Sequence, residues 1–173
     1  MGGVEELPRS YPHPPPPPPP PTPTWRYEVF LSFSGQDTRD NFTDHLYTGL
    51  VERRITAYRD DKNLGRGCFI IETLFRAIER SRTSIIIFSK NYAASKWCLY
   101  ELVKIVKCNK LLGHMIFPVF YDVRPDHVAE QTGPYKKIFI DHYKNFKKRR
   151  VDKWRNALKT VCGISGWYKP NYR

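Results

Sequence analysis

Residues 84–89, Ser84-Ile85-Ile86-Ile87-Phe88-Ser89, limit the fold more than any other stretch of this chain. Four successive large apolar side chains in a strand-length segment cannot alternate between core and water. Both faces of such a strand must be covered, as in the middle of a parallel sheet. Met115 to Tyr121 reads as a second buried strand, and Pro118 within it, lacking an amide donor, points to an edge or a bulge. Tyr27-Glu28-Val29-Phe30-Leu31-Ser32-Phe33 is aromatic and β-branched and reads as another strand, and Ile55 to Tyr58 as a short one.

Helical periodicity fills the gaps. Phe42, Leu46, Leu50 and Val51 fall on one stripe, behind Asp40 or Asn41 as a cap. Ile71, Leu74, Phe75 and Ile78 give a second stripe. Leu102, Ile105 and Val106, continued by Leu111 and Leu112, give a third. From about Gly133 the chain reads as helical, with Trp154, Leu158 and Val161 on one face. Strands and helices alternate through short connections, which implies right-handed crossovers. The predicted fold is α/β, flavodoxin-like and doubly wound: a mainly parallel sheet of four to five strands with helices on both faces. Ligands of such sheets bind outside the carboxyl ends of the strands. That edge carries the loops after Phe33, Tyr58, Ser89 and Tyr121.

Composition sets the outer limits. Eleven of the 15 prolines lie between Pro8 and Pro23, eight of them consecutive from Pro14 to Pro21. Residues 1–24 are expected to be a disordered, proline-rich tail with polyproline II as its regular option. The remainder suits one domain, expected over residues 25–168, with 169–173 as a C-terminal tail. Cys68, Cys98, Cys108 and Cys162 form no CxxC pair, which argues for reduced thiols rather than a zinc site or a disulfide scaffold. No apolar run approaches the ~20 residues of a membrane span, and the head has no secretory apolar region. The expected address is the cytoplasm, with the nucleus as an additional one. The net charge is +12, and residues 136–159 carry ten basic against two acidic side chains. Lys147, Lys148, Arg149 and Arg150 within that segment are either a solvated helix junction or a weak nucleic-acid contact.

Three places on the sheet edge have chemical potential. Ser34 to Arg39 leaves a strand for a helix, and Gly35 there permits either an ordinary tight turn or a backbone approach to a phosphate. Asp60-Asp61 is a carboxylate pair, but Lys62 beside it competes with any cation, and no metal is expected. Trp97 and Glu101 stand one helical turn apart at the start of the third helix. Glu101 is either a solvent-facing acid complementing a helix N-terminus, with Trp97 as core, or a part-buried acid beside an indole stacking face.

Taken together, the segments Tyr27 to Phe33, Gly35 with Asp37-Thr38-Arg39, Phe42-Thr43-Asp44-His45-Leu46, Leu64-Gly65-Arg66-Gly67, Phe88-Ser89-Lys90-Asn91-Tyr92, Trp97-Cys98-Leu99 with Glu101-Leu102, Pro118 to Val123, and Gln131-Thr132-Gly133 resemble a TIR (Toll/interleukin receptor) domain of the plant disease-resistance class. The resemblance covers roughly residues 25–168, as in a TIR-only protein or an isolated TIR fragment. It implies the flavodoxin-like fold and an NAD+ hydrolase, of the NAD+ nucleosidase or ADP-ribosyl cyclase type, acting in immune signalling on self-association. NAD+ is then the substrate, and no cofactor is implied. Glu101 falls on the family's catalytic glutamate. Ser34, Gly35, Gln36, Asp37, Thr38, Arg39 and Gly67 fall on its dinucleotide-lining positions, and Trp97 beside the nicotinamide pocket. Residues 61–70 match its mobile loop. Asp44 and His45 fall on a TIR–TIR surface. Ser34 stands where the family usually has Arg, Gln36 where it commonly has an acid, and Asp44-His45 where Ser-His is frequent. These departures sustain the alternative of a non-catalytic adaptor that mediates homotypic TIR contacts.

Overall fold

In the computed structural model, the chain is described over residues 14–19, 24–60, 68–164 and 167–169, excepting the side chains of 68, 69 and 167–169. Five strands, β1 (Tyr27–Phe33), β2 (Ala57–Arg59), β3 (Ser81–Phe88), β4 (Met115–Tyr121) and β5 (Trp167–Lys169), form one sheet in the order β2-β1-β3-β4-β5. Every neighbouring pair is parallel. The order reverses beside β1, the switch point of a doubly wound sheet. The helices are α1 (Gly35–Thr38), α2 (Phe42–Glu52), α3 (Cys68–Glu79), α4 (Lys96–Leu112), α5 (Pro125–Glu130), α6 (Pro134–Asn145) and α7 (Lys148–Cys162).

The pleat sends alternate side chains into two cores. Val29, Leu31, Phe33 and Ile87 face the smaller one, where Phe42, Leu46 and Leu50 of α2 pack. Phe30, Ile86 and Phe88 face the larger one, with Leu74 and Ile78 of α3, Leu102 and Ile105 of α4, and Trp154, Leu158 and Val161 of α7. The apolar run of β3 thus serves both cores, as its composition demands. Ser32 lies between Leu31 and Phe33 on β1, is fully buried, and pairs in register with Ile86.

Several local expectations change. The Ser34–Arg39 break contains a short helix, and Asn41, not Asp40, caps α2 by accepting from the Phe42 N–H. The α2 stripe ends at Leu50, because Val51 is 50 % exposed. The buried face of α4 runs on past Val106 to Cys108, while Leu111, half a helical turn round from Leu102, is 69 % exposed, and the left-handed Gly113 (φ 69°) then turns the chain. Pro118 sits in β4, one strand in from the edge, and β5 begins to pair only at Val119. Leu64-Gly65-Arg66-Gly67 lies outside the described residues. Among the described residues, no helix is long and apolar enough to cross a membrane.

Candidate active site

The carboxyl ends of β1 and β3 and the second turn of α4 converge on one side chain. Ser95 opens α4 by accepting from the Cys98 N–H, and this phases the helix so that Glu101 points toward β1. Glu101 is only 6 % exposed. Its Oε2 accepts a hydrogen bond of 2.8 Å from the Ser32 hydroxyl. The same Ser32 oxygen lies 2.8 Å from the Tyr92 phenol, in the helical turn Tyr92–Ala94 that precedes α4. The Tyr92 hydroxyl is also 3.2 Å from the Cys98 carbonyl, and the Cys98 thiol donates to the Phe33 carbonyl at 3.4 Å. Of the two readings of Glu101, the solvent-facing one is thus overturned.

Burial pushes the Glu101 carboxyl from 4.5 up to about 8; the Ser32 hydrogen bond opposes the rise, and the Asp60 charge adds to it. The same burial raises the Tyr92 phenol far above its ordinary value, with Cys98 and Glu101 contributing. A carboxyl shifted this far at the ligand-binding edge of a doubly wound sheet is a candidate reacting group.

The first loop reaches the site through its own ties. Ser34 is buried, and its carbonyl accepts from the Asp37 and Thr38 amides at 3.1 and 3.2 Å. Thr38 is buried against the Thr43 hydroxyl at 2.7 Å. Both Asp37 carboxylate oxygens are taken at 2.8 Å by the Asn91 amide and side chain, which clamps the β1 loop to the β3 loop. Arg39 donates to the Asp60 carbonyl at 3.1 Å, its guanidinium lies over the Phe33 ring, and it fills the space that a Cβ on Gly35 would enter. Gln36 is exposed, and Gly67 lies outside the described residues. Trp97 is half-buried, with its ring edge-on to Tyr100 and the Lys96 ammonium above it, while the carboxyl one turn away is met by a hydroxyl.

Other expected surfaces lie apart. Asp44 and His45 are exposed on α2, where Asp44 pairs with Arg59 at 2.8 Å. Lys147 precedes α7, Lys148 pairs with Asp152 at 3.0 Å, and Lys147 to Arg150 are all exposed. Arg150 projects over Tyr100 at the rim of a groove of about 310 Å³ shared with Phe75, Val103, Lys104 and Trp154.

Residue-level reading did not single out Ser32, Tyr92 or Asn91 as site residues. A lone hydroxyl within the apolar β1 segment was the available signal for Ser32. Tyr92 and Asn91 are joined to their partners across 60 and 54 residues, beyond the reach of local pattern.

Residues 26–173 match the family described as TIR domain, so the chain belongs to it. It is 52 % identical over 145 residues to the disease resistance protein RPV1 of Vitis rotundifolia, covering 84 % of this chain and 10 % of that protein. It is 44 % identical over 144 residues to the TMV resistance protein N of Nicotiana glutinosa, covering 82 % of this chain and 13 % of that protein. The chain therefore spans about a tenth of the length of these relatives. Among solved structures, it superposes on the TIR domains of the activated Roq1 resistosome directly recognizing the pathogen effector XopQ. That match has a TM-score of 0.76 at 44 % identity, over 82 % of this chain and 87 % of the other. The chain is a TIR domain of the plant disease-resistance type.

Proposed function

We propose that this chain cleaves the nicotinamide–ribose bond of NAD+ when self-associated, in plant immune signalling, with Glu101 as its catalytic residue. The observation that carries this reading is the Glu101 carboxyl, buried at the switch-point edge of the sheet and held at 2.8 Å by Ser32. The membership established above supports it, as does the relation to TIR domains seen in an activated resistosome.

The chemistry asks little more than one acid. Nicotinamide leaves as a neutral ring because the bonding electrons neutralise its pyridinium, so no proton has to reach the leaving group. Positive charge then appears on the ribose carbon, as in glycoside cleavage. A carboxylate preorganised beside that carbon stabilises the charge where it develops. Water adds to the cation and loses a proton, giving ADP-ribose; capture by the adenine would give the cyclic product. The cationic substrate would itself favour ionisation of Glu101. Asp37 and Arg39 would act by holding the β1 loop in shape, Trp97 would offer its half-exposed ring to the nicotinamide, and Asp44 and His45 would lie on a contact surface between copies.

The test is nicotinamide release from NAD+ at rising protein concentration. Glu101→Ala should lower the rate by about 10²–10³ or more; a rate unchanged by that substitution refutes the assignment. The adaptor reading is favoured by Ser34, a buried neutral residue at the position where the family resemblance leads one to expect a cation. Self-association with no turnover in the wild-type protein would decide for it.

A further inference from the structure

The Glu101 carboxyl, the Ser32 hydroxyl, the Tyr92 phenol and the Cys98 carbonyl form an unbranched row with spacings of 2.8, 2.8 and 3.2 Å. The two hydroxyls have one hydrogen each. With the carboxyl proton, when present, on Oε2, that count allows two complete arrangements. With Glu101 ionised, Tyr92 donates to Ser32 and Ser32 donates to the carboxylate. The Cys98 carbonyl, an acceptor within α4, keeps its helical partner. With Glu101 protonated on Oε2, the carboxyl donates to Ser32, Ser32 donates to Tyr92, and Tyr92 donates to the Cys98 carbonyl. Passing between the two rotates both hydroxyl hydrogens in the same sense. No proton crosses between heavy atoms of the row, and the one proton lost is that of Glu101, which leaves to solvent or a bound water.

We infer that Ser32 and Tyr92 are a reversible hydroxyl relay that serves Glu101 in both of its protonation states, with Tyr92 as a positioning residue that acts through Ser32. Buried hydroxyls without a partner are unfavourable, so a lone serine could satisfy the anion but would strand its hydrogen when the proton sits on Oε2, the oxygen that faces it. Tyr92 removes that conflict. It accepts in one state and donates in the other, and the helix carbonyl beyond it absorbs the surplus donor. The row is closed to competition, since Ser32 and Tyr92 are both fully buried. The other titratable groups around the carboxyl are the Cys98 thiol from α4, turned toward the Phe33 carbonyl, and Asp60 and Tyr58 at the end of β2. Burial shifts the Cys98 thiol upward, so it stays neutral. Asp60 stays on the same side of the comparison in every variant below.

This inference rests on the reading of Glu101 as the reacting carboxyl, yet it can be tested apart from turnover. The two hydroxyls should act with opposite sign. Tyr92→Phe leaves the anion its Ser32 donor but strands the Ser32 hydrogen in the neutral state, so the Glu101 midpoint should fall. Ser32→Ala removes the donor to the anion, so the midpoint should rise. A shift of about one pH unit each way, tenfold in proton affinity, is expected for one buried hydrogen bond of this kind. The measurement is a titration of side-chain carboxyl ¹³C resonances from pH 5 to 9 in the full chain, with Glu101→Gln identifying the signal. Where Ser32→Ala fails to fold, Ser32→Cys, a weak donor of similar size, replaces it. Opposite displacements establish the relay. Displacements of the same sign, or none beyond a few tenths of a unit, overturn it. The pH profile of nicotinamide release should shift with the midpoints. Opposed midpoints without NAD+ cleavage would keep the relay and discard the enzymatic reading.

Discussion

Replacing Glu101 by Gln should stabilise the protein, and only at neutral to alkaline pH. The wild-type carboxyl is buried and its ionisation is displaced from 4.5 to about 8. The folded state therefore holds this proton more tightly than the unfolded chain does. The group's contribution to stability is complete below about pH 4.5 and is lost progressively as pH rises to about 8. At 1.36 kcal/mol per unit, the full loss is on the order of 5 kcal/mol. Gln has the same shape and no charge to desolvate, and it can still accept from Ser32, so it escapes that loss. The assay is urea or thermal denaturation of both proteins between pH 5 and 8.5. The curves should nearly coincide at pH 5 and separate as pH rises, until Glu101→Gln unfolds roughly 10 °C higher. A separation independent of pH, or a variant less stable at pH 8.5, would refute the reasoning that burial rather than pairing governs Glu101.

Two further outcomes follow from named contacts. Asp37→Ala removes an anionic acceptor of two 2.8 Å hydrogen bonds from Asn91. It should cost about 1.5–3 kcal/mol of stability and accelerate amide exchange at Asn91, as seen by hydrogen exchange. His114 is fully buried, with its ring nitrogens 2.7 Å from the Ser84 hydroxyl and the Ser81 carbonyl. Burial holds its pKa below the ordinary 6.5, so its unfolded form takes up a proton first as pH falls. The stability advantage of wild type over His114→Asn should shrink between pH 7 and 5, measured by denaturation at each pH.

The fold was legible because its strands are written in composition. A segment such as Ile85 to Phe88 admits few arrangements, and the stripes of α3 and α7 leave no doubt about which faces they bury. Val51 and Leu111 stand half a helical turn round from the core-facing Phe42 and Leu102, so they meet water. What local pattern could not supply was the depth of each residue. Glu101 reads equally well as a surface acid near a helix start; only the register of α4 against β1 buries it beside Ser32. The clamp from Asp37 to Asn91 joins two loops that the sheet order makes neighbours, and the order of strands is a property of the whole chain. The helix α5, six residues beginning with Pro125, is too short to show a stripe.

The most direct test uses Glu101→Gln once more, because it separates fold from chemistry in one sample. Purified wild type and variant are concentrated alike and incubated with NAD+ at pH 7.5, and nicotinamide and ADP-ribose are quantified after confirming that both are folded. The account predicts a variant at least as stable as wild type that releases no nicotinamide above background. A well-folded Glu101→Gln protein that cleaves NAD+ at the wild-type rate would contradict it.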